Sequence, residues 1–445
     1  MNKNKDYLIT EKPSRALFAF ALPMIIGNLF QQAYTIVDSA IVGHYVGETA
    51  LAAVGASYAL TSIFICVAIG GGIGASVIIS QHFGGHAYSR MKTSIRTAML
   101  SFLLISLLLG GIGLCFSRQI MEALNTPADA MDIAVIYLNI YFYGLPFLFM
   151  YNILSSMFNA LGESRIPLYL LIFSSVLNIF LDLYMVATLH LGVAGAAYAT
   201  FIAQGISAVC SFLIFLHTLR RLDGKAETWF SKTEFFSMSR IALPSILQQS
   251  TVSIGMMLVQ SVVNGFGTQI LAGFSAGMRI ESLCVVPMAA IGNALSSYTA
   301  QNIGAEKHER ISLGYRTANI MVAITAVILC LFLELLHRPL IALFLDGAPS
   351  AQTIATGEGY LRFIGFFFCM IGFKMAVDGI LRGAGAVKVF TIANLVNLGL
   401  RVLIAKLGAP VYGIAMIWYA VPLGWLANFL ISYGYYRTGK WKQIS

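Results

Sequence analysis

Apolar residues run along this chain in stretches of about 20 or more, the length that carries an α-helix across the hydrocarbon core of a bilayer. Short polar breaks separate them. Six stretches fill the first half, at 16–42, 49–79, 94–115, 133–157, 166–188 and 193–218. Six more fill the second, at 240–263, 270–298, 315–337, 356–381, 386–406 and 411–436. The pattern predicts an all-α integral membrane protein with twelve transmembrane helices. The first stretch follows the polar segment MNKNKDYLITEKPSR and is longer than a signal-peptide core, so it is expected to remain as a span.

The polar breaks orient the chain. Apart from Arg279, Arg362, Lys374 and Arg401 inside spans, Lys and Arg fall in the tails, the even-numbered loops and their helix ends, with only Arg118, Arg338 and Lys406 on the other side. Positive charge is retained on the cytoplasmic face, so both termini are expected there. Short motifs recur in the same order in the two halves. Ala21-Leu22-Pro23 returns as Ala242-Leu243-Pro244, and Gln81-His82-Phe83-Gly84-Gly85 as Gln301-Asn302-Ile303-Gly304-Ala305. Tyr137-Leu138 returns as Tyr360-Leu361, and Ala160-Leu161-Gly162 as Gly383-Ala384-Gly385. Six spans per half is an even number, so the repeats enter the membrane in the same direction and are parallel. The expected domains are an N-lobe over 1–218, a linker over 219–239 lying along the inner surface, and a C-lobe over 240–445. Two lobes flanking a cleft suit alternating access.

Composition sharpens this. Of 445 residues 58% are hydrophobic and 11% charged, too little charge to cover a water-exposed surface. The net charge of +9 would suit nucleic acid if gathered in one patch, but it is scattered among inter-helix loops, so the expected partner is the lipid bilayer. Cys66, Cys115, Cys210, Cys284, Cys330 and Cys369 lie in apolar stretches without metal-ligand spacing and read as packing residues.

An ionisable group in hydrocarbon costs several kcal/mol, so each one inside a span requires a reason. Asp38 in the first span and Asp182 in the fifth stand out. Counted at 1.5 Å per residue from the predicted helix ends, Asp38, Asp182 and Thr200 share a depth roughly 6–10 Å below the outer boundary. Asn178 lies one turn from Asp182 on the same face. Two carboxylates, an amide and a hydroxyl at one level suit an oxygen-rich cage for a hard monovalent cation such as Na⁺, or a pair sharing one proton. The plainer reading is that each side chain only hydrogen-bonds to neighbouring helices. By the repeat, Asn178 falls opposite Arg401 and Asp182 opposite Ala405, so cation coupling is expected in the N-lobe alone. In the C-lobe, Lys374 and Asp378 are four apart near the end of the tenth span and read as a snorkelling ion pair that anchors the helix. Arg279, Glu281 and Arg401 are candidates for a charge network there. Pro23, Pro146, Pro244, Pro287 and Pro422 lie inside spans, where each removes a backbone bond and permits bending.

Several stretches resemble the multidrug and toxic compound extrusion (MATE) transporters along essentially the whole chain. The most specific are Leu22-Pro23-Met24-Ile25-Ile26-Gly27-Asn28-Leu29 leading to Ile36-Val37-Asp38-Ser39, Leu51-Ala52-Ala53-Val54-Gly55 and Gln81-His82-Phe83-Gly84-Gly85. Asn159-Ala160-Leu161-Gly162-Glu163-Ser164-Arg165-Ile166-Pro167 and Leu381-Arg382-Gly383-Ala384-Gly385 complete the set. The resemblance implies a V-shaped pair of lobes in the plasma membrane that exports amphipathic, often cationic organic compounds against inward Na⁺ or H⁺. It implies that Asp38, Asn178, Asp182 and Thr200 hold the coupling ion, and that Gln31, Tyr34 and Asn152 face the substrate cavity. Some members carry an acid in helix 7, where this chain has Gln248-Gln249.

No phosphate loop of the Gly-x-x-x-x-Gly-Lys type, His-Glu-x-x-His or Gly-x-Ser-x-Gly occurs, so an ion gradient is the expected energy source and neither ATP hydrolysis nor enzymatic chemistry is expected. No cofactor is expected beyond the coupling ion, and the chain is expected to work as a monomer. The alternative keeps the fold but moves a lipid-linked oligosaccharide, which usually requires a larger and more basic cavity. A membrane-embedded lipid transferase and a channel fit less well.

Overall fold

A computed structural model describes residues 6–46, 48–124, 126–127, 130–345 and 350–443. The side chains at 42, 48–54, 56, 58, 59, 252 and 443 lie outside that description, and with them most of the Leu51–Gly55 motif. With no water in hydrocarbon to receive backbone hydrogen bonds, an apolar segment satisfies its own peptide groups only by coiling. The described residues are helical accordingly, and no strand occurs among them.

A short helix α1 (Tyr7–Thr10) precedes α2 (Pro13–Val46), α3 (Glu48–Gly84), α4 (Tyr88–Ala123), α5 (Met131–Ala160), α6 (Arg165–Asp182) and α7 (Gly192–Arg220). Then come α8 (Lys232–Asn264), α9 (Thr268–Gly304), α10 (His308–Leu343), α11 (Ala351–Gly365), α12 (Phe368–Gly383), α13 (Val387–Tyr412) and α14 (Ala415–Arg437). Among the described residues, eleven segments are long and apolar enough to cross a membrane singly, and α11 with α12, bent by 52°, makes a twelfth if the pair is one span. The five prolines expected to permit bending all lie inside continuous helices. The sharp break comes instead between Gly365 and Phe368, where no proline stands. There Phe367 N–H donates to Ile364 O at 2.9 Å and Met370 N–H to Phe367 O at 2.9 Å, replacing the regular ladder with tighter i→i−3 turns.

The internal repeat extends to the backbone. Gly162 (φ 80°) and Gly385 (φ 72°) share a positive φ at matching positions, as do Gly192 (φ 59°) and Gly413 (φ 76°), a backbone conformation that glycine adopts readily and other residues rarely.

The chain packs as two compact units, Ile26–Ile246 and Met1–Ile25 with Leu247–Ser445. This division differs from the one expected at 218 and 240: each unit takes the opening stretch of the other half's first span. The changeover falls just after each copy of the Ala-Leu-Pro repeat. In the unit that ends at Ile246, α5 packs against α3, α4 and α7, and α6 against α7. Its core gathers Leu138, Phe142, Leu145 and Phe149. The other unit packs α9 against α10, α11 and α12, and its core includes Leu8, Leu17 and Phe20 beside Phe274, Tyr298, Tyr360 and Phe368.

The segments that lead into the two exchanged helices are each tied to a helix pair. Carbonyls of the α1 segment are gathered by Asn302 Nδ2 (to Leu8 O, 3.1 Å), Lys307 Nζ (to Ile9 O, 3.0 Å) and the Arg310 guanidinium (to Leu8 O, 3.3 Å). In the other unit, Lys92 Nζ donates to Leu222 O and Gly224 O, both at 2.7 Å. Glu227 N–H donates to Thr93 Oγ1 and Ser231 N–H to Thr97 Oγ1, each at 3.0 Å. Thr93 and Thr97 are one turn apart, so the 222–231 segment runs along the first turns of α4. At its end Glu234, buried, accepts from Ser94 Oγ at 2.8 Å and pairs with His82 at 3.0 Å and Arg90 at 3.2 Å.

Close helix packing in the second unit rests on small residues. A Cβ on Gly379 would lie 2.3 Å from Gly292 O, and one on Gly383 2.4 Å from Ser296 O, so α12 and α9 touch backbone to backbone along this ridge. Gly379→Val is expected to force the pair apart and destabilise the unit by about 1–3 kcal/mol or more. Gly434→Val, on an open helix face with nothing near its Cβ, is expected to be neutral. Thermal unfolding in detergent, followed by size-exclusion of the surviving fraction, distinguishes the two.

Candidate functional site

α2, α6 and α7 bring the predicted acids and their neighbours together inside one unit. The phenol of Tyr34 on α2 hydrogen-bonds to the Asn178 amide on α6. That amide, with its nitrogen turned toward the acid, donates to Asp182 Oδ2 at 2.9 Å and accepts from Thr200 N–H on α7 at 3.0 Å. The carboxyl groups of Asp38 and Asp182 lie close enough for one to donate a hydrogen bond to the other when it carries a proton. Asp182 is fully buried and Asn178 is 2% exposed. Asp182 is also the last residue of regular helix. Directly after it, Leu183–Thr188 widens into a π-turn, with Leu189 N–H reaching back five residues to Tyr184 O at 3.0 Å. Such widened turns collect at functional sites because they re-aim the side chains beside them.

The electrostatics of this pair are incomplete as they stand. Two carboxylates side by side in a medium of low dielectric repel strongly, and a buried charge without a partner costs several kcal/mol. Among the described residues, no Lys or Arg is one of the groups acting on either acid. One oxygen of each, Asp38 Oδ1 and Asp182 Oδ1, is buried without a hydrogen-bond partner. Orphaned acceptors facing a twin carboxylate are what a proton or a small monovalent cation would satisfy.

Tyr137 on α5 lies within electrostatic reach of both acids and escaped the sequence reading as a site residue. Its signal was the helical spacing Tyr137, Tyr141, Gly144, Leu148, one face of α5. These four, with Thr200, Phe201 and Gln204 of α7, line a cavity of about 20 Å³, room for one water. Thr200 thus touches both the acid cluster and this cavity. Gln31 is exposed on α2, one turn before Tyr34. Asn152 turns its amide back to Leu148 O at 2.8 Å within α5 and does not join the cluster.

The charged candidates of the other unit do not form one network. The Tyr360 hydroxyl donates to Glu281, which is buried within electrostatic reach of Arg401, while Arg279 is exposed on α9. Lys374 and Asp378 do pair, at 2.9 Å, but the lysine does not snorkel: the two are 5% and 2% exposed. Lys374 Nζ donates to Asn394 Oδ1 on α13 at 3.1 Å, and Ser432 Oγ on α14 donates to Asp378 Oδ1 at 2.8 Å. Internal partners on three helices replace the water that a snorkelling ammonium would seek. Asp378 is therefore met by a cation on its own helix, and Asp38 and Asp182 are not.

A multi-pass helical protein built from two parallel repeats, with a pair of neighbouring acids inside one of them, fits the class of membrane transporters. The chain is a member of the MatE family, whose model matches residues 23–184 and 244–407, one match per repeat. It is 30% identical over 433 residues to "Probable multidrug resistance protein YpnP" of Bacillus subtilis, covering 97% of this chain and 96% of that one. It is 27% identical to "Probable multidrug resistance protein YoeA" of the same organism, over 100% and 99%. In fold it is similar to a solved multidrug resistance MATE family transporter of the MOP superfamily in an outward-facing conformation, with a TM-score of 0.88, 23% identity and full coverage of both chains.

Removing one partner of a buried ion pair strands the other. Lys374→Met is expected to cost about 3–5 kcal/mol of stability, whereas Lys374→Met with Asp378→Leu recovers most of it. Thermal unfolding of the two variants in detergent checks both the burial and the pairing.

Proposed function

We propose that this transporter is a cation-coupled antiporter that exports amphipathic, often cationic organic compounds in exchange for Na⁺ or H⁺. The observation that carries the reading is the asymmetry of compensation. Asp378 is neutralised permanently by Lys374, while Asp38 and Asp182 share a buried site with no protein cation beside them. A charge supplied from outside and exchanged during the cycle fits the second arrangement and not the first. The names borne by the relatives from Bacillus subtilis support the substrate class.

In this reading Asp38 and Asp182 bind the cation. Asn178 presents its amide to Asp182 and links α6 to α7 through the Thr200 backbone, and Tyr34 ties α2 to that amide. Filling the site removes the repulsion between the carboxylates and lets α2 and α6 approach; emptying it restores the repulsion. The free energy of cation binding is thereby converted into a preference between two packings of the same helices, which is what coupling requires.

Asp38→Asn and Asp182→Asn each keep the shape of the side chain and remove its charge. Both are expected to reduce ethidium efflux to the level of cells lacking the transporter while membrane insertion is unchanged. Efflux measured in everted vesicles, with Na⁺ and pH gradients imposed separately, identifies the ion. Wild-type efflux from both variants would refute the assignment.

A further inference from the structure

We infer that the 222–236 segment together with Arg96 forms a binding site for the headgroup of an anionic phospholipid, in the leaflet that faces this end of the unit. The inference concerns a surface distinct from the acid pair and does not depend on the proposed coupling.

The segment is held rigidly. Lys92, Thr93 and Thr97 grip its backbone along α4, and Glu234 closes it with His82, Arg90 and Ser94. With the backbone pinned inward, the large apolar side chains point out. Trp229 is 74% exposed, Phe236 68% and Phe230 43%, and Phe235 bridges the last two with ring centroids 5.9 and 5.8 Å away. Such a cluster is costly against water and favourable at a headgroup boundary, where Trp is enriched.

Depth agrees. The 36 residues of α4 span about 54 Å and exceed a 30 Å hydrocarbon core by about 12 Å at each end. Arg96 lies about 12 Å from the start of α4, so it and Trp229 sit at the boundary between headgroups and acyl chains. The Arg96 guanidinium lies over the Trp229 ring at 4.6 Å. An aromatic face attracts a cation but does not neutralise it. The neighbouring cations are engaged: Arg90 by Glu234, Lys92 by two carbonyls. Arg96 has no ion pair among the described residues and keeps its fork of donors for an outside acceptor. Exposed Lys225, Lys232 and Arg240 add positive charge nearby, against exposed Asp223 and Glu227. A phosphodiester flanked by acyl chains satisfies both halves of this surface, the guanidinium by bidentate hydrogen bonds and the aromatic rings by apolar contact.

The test uses the full-length protein in proteoliposomes and quenching of Trp229 fluorescence by brominated lipid, with Trp229→Phe defining its share of the signal. Brominated phosphatidylglycerol is expected to quench Trp229 at about a fivefold lower mole fraction than brominated phosphatidylcholine, the preference that one interfacial charge gives. Arg96→Gln is expected to abolish the preference and Arg96→Lys to retain most of it, and high salt to weaken it. Equal quenching by the two lipids in the wild type would overturn the proposal, as would a preference that survives Arg96→Gln. Thermal unfolding of Arg96→Gln at the wild-type midpoint separates lost recognition from lost fold.

Discussion

A carboxylate enclosed in an apolar helical bundle persists only beside something positive. This protein meets that constraint in two ways within one repeated fold. In one unit the acid on α12 is answered four residues earlier on the same helix, and Asn394 and Ser432 complete the solvation of the pair. In the other, Asp38 and Asp182 come from different helices and answer only to each other, with Asn178, Tyr34 and Thr200 around them. The first arrangement is a fixed structural joint. Under the coupling proposed above, the second takes an exchangeable partner, and because its two acids ride on separate helices, that partner's arrival or departure would act as a force between those helices.

The scaffold suits such a force. Both α2 and α8 begin in one compact unit and continue in the other, and both change over just after a proline that costs the helix a hydrogen bond. Asp38 lies on α2 beyond that point, in the same unit as Asp182. The segments that precede α2 and α8 are fastened by matched devices, α1 by Asn302, Lys307 and Arg310, and 222–234 by Lys92, Thr93, Thr97 and the Glu234 cluster. These fastenings hold the helix entrances, while the regular backbone ladder is altered farther along, at the prolines and in the π-turn after Asp182.

Much of this was legible in the residues because the bilayer imposes a length. Twelve spans followed from run lengths, and counting residues to the helix ends placed Asp38, Asp182 and Thr200 at one expected depth; in the structure Asn178 joins Asp182 to Thr200. What escaped was decided by contacts distant in sequence. Lys374 reads as a snorkelling residue until α13 and α14 supply Asn394 and Ser432. Glu234 sits in a segment that reads as surface linker, yet His82, Arg90 and Ser94 bury it. The 52° break before Phe368 and the widened turn after Asp182 carry no proline or glycine pair of the usual kind, while five prolines inside spans leave their helices continuous. The exchange of helix starts between units is likewise invisible in periodicity, since both parts of α2 are equally apolar.

The central claim is that the Asp38–Asp182 pair holds one small cation that the organic substrate displaces during transport. Purified protein in weakly buffered detergent solution, mixed with ethidium while a pH-sensitive dye and a Na⁺ electrode record the medium, tests it directly. The account predicts release of H⁺ or Na⁺ from the wild type on ethidium binding and none from the variant with both acids changed to asparagine. Ethidium binding with no release of either ion, or equal release from that variant, would contradict it.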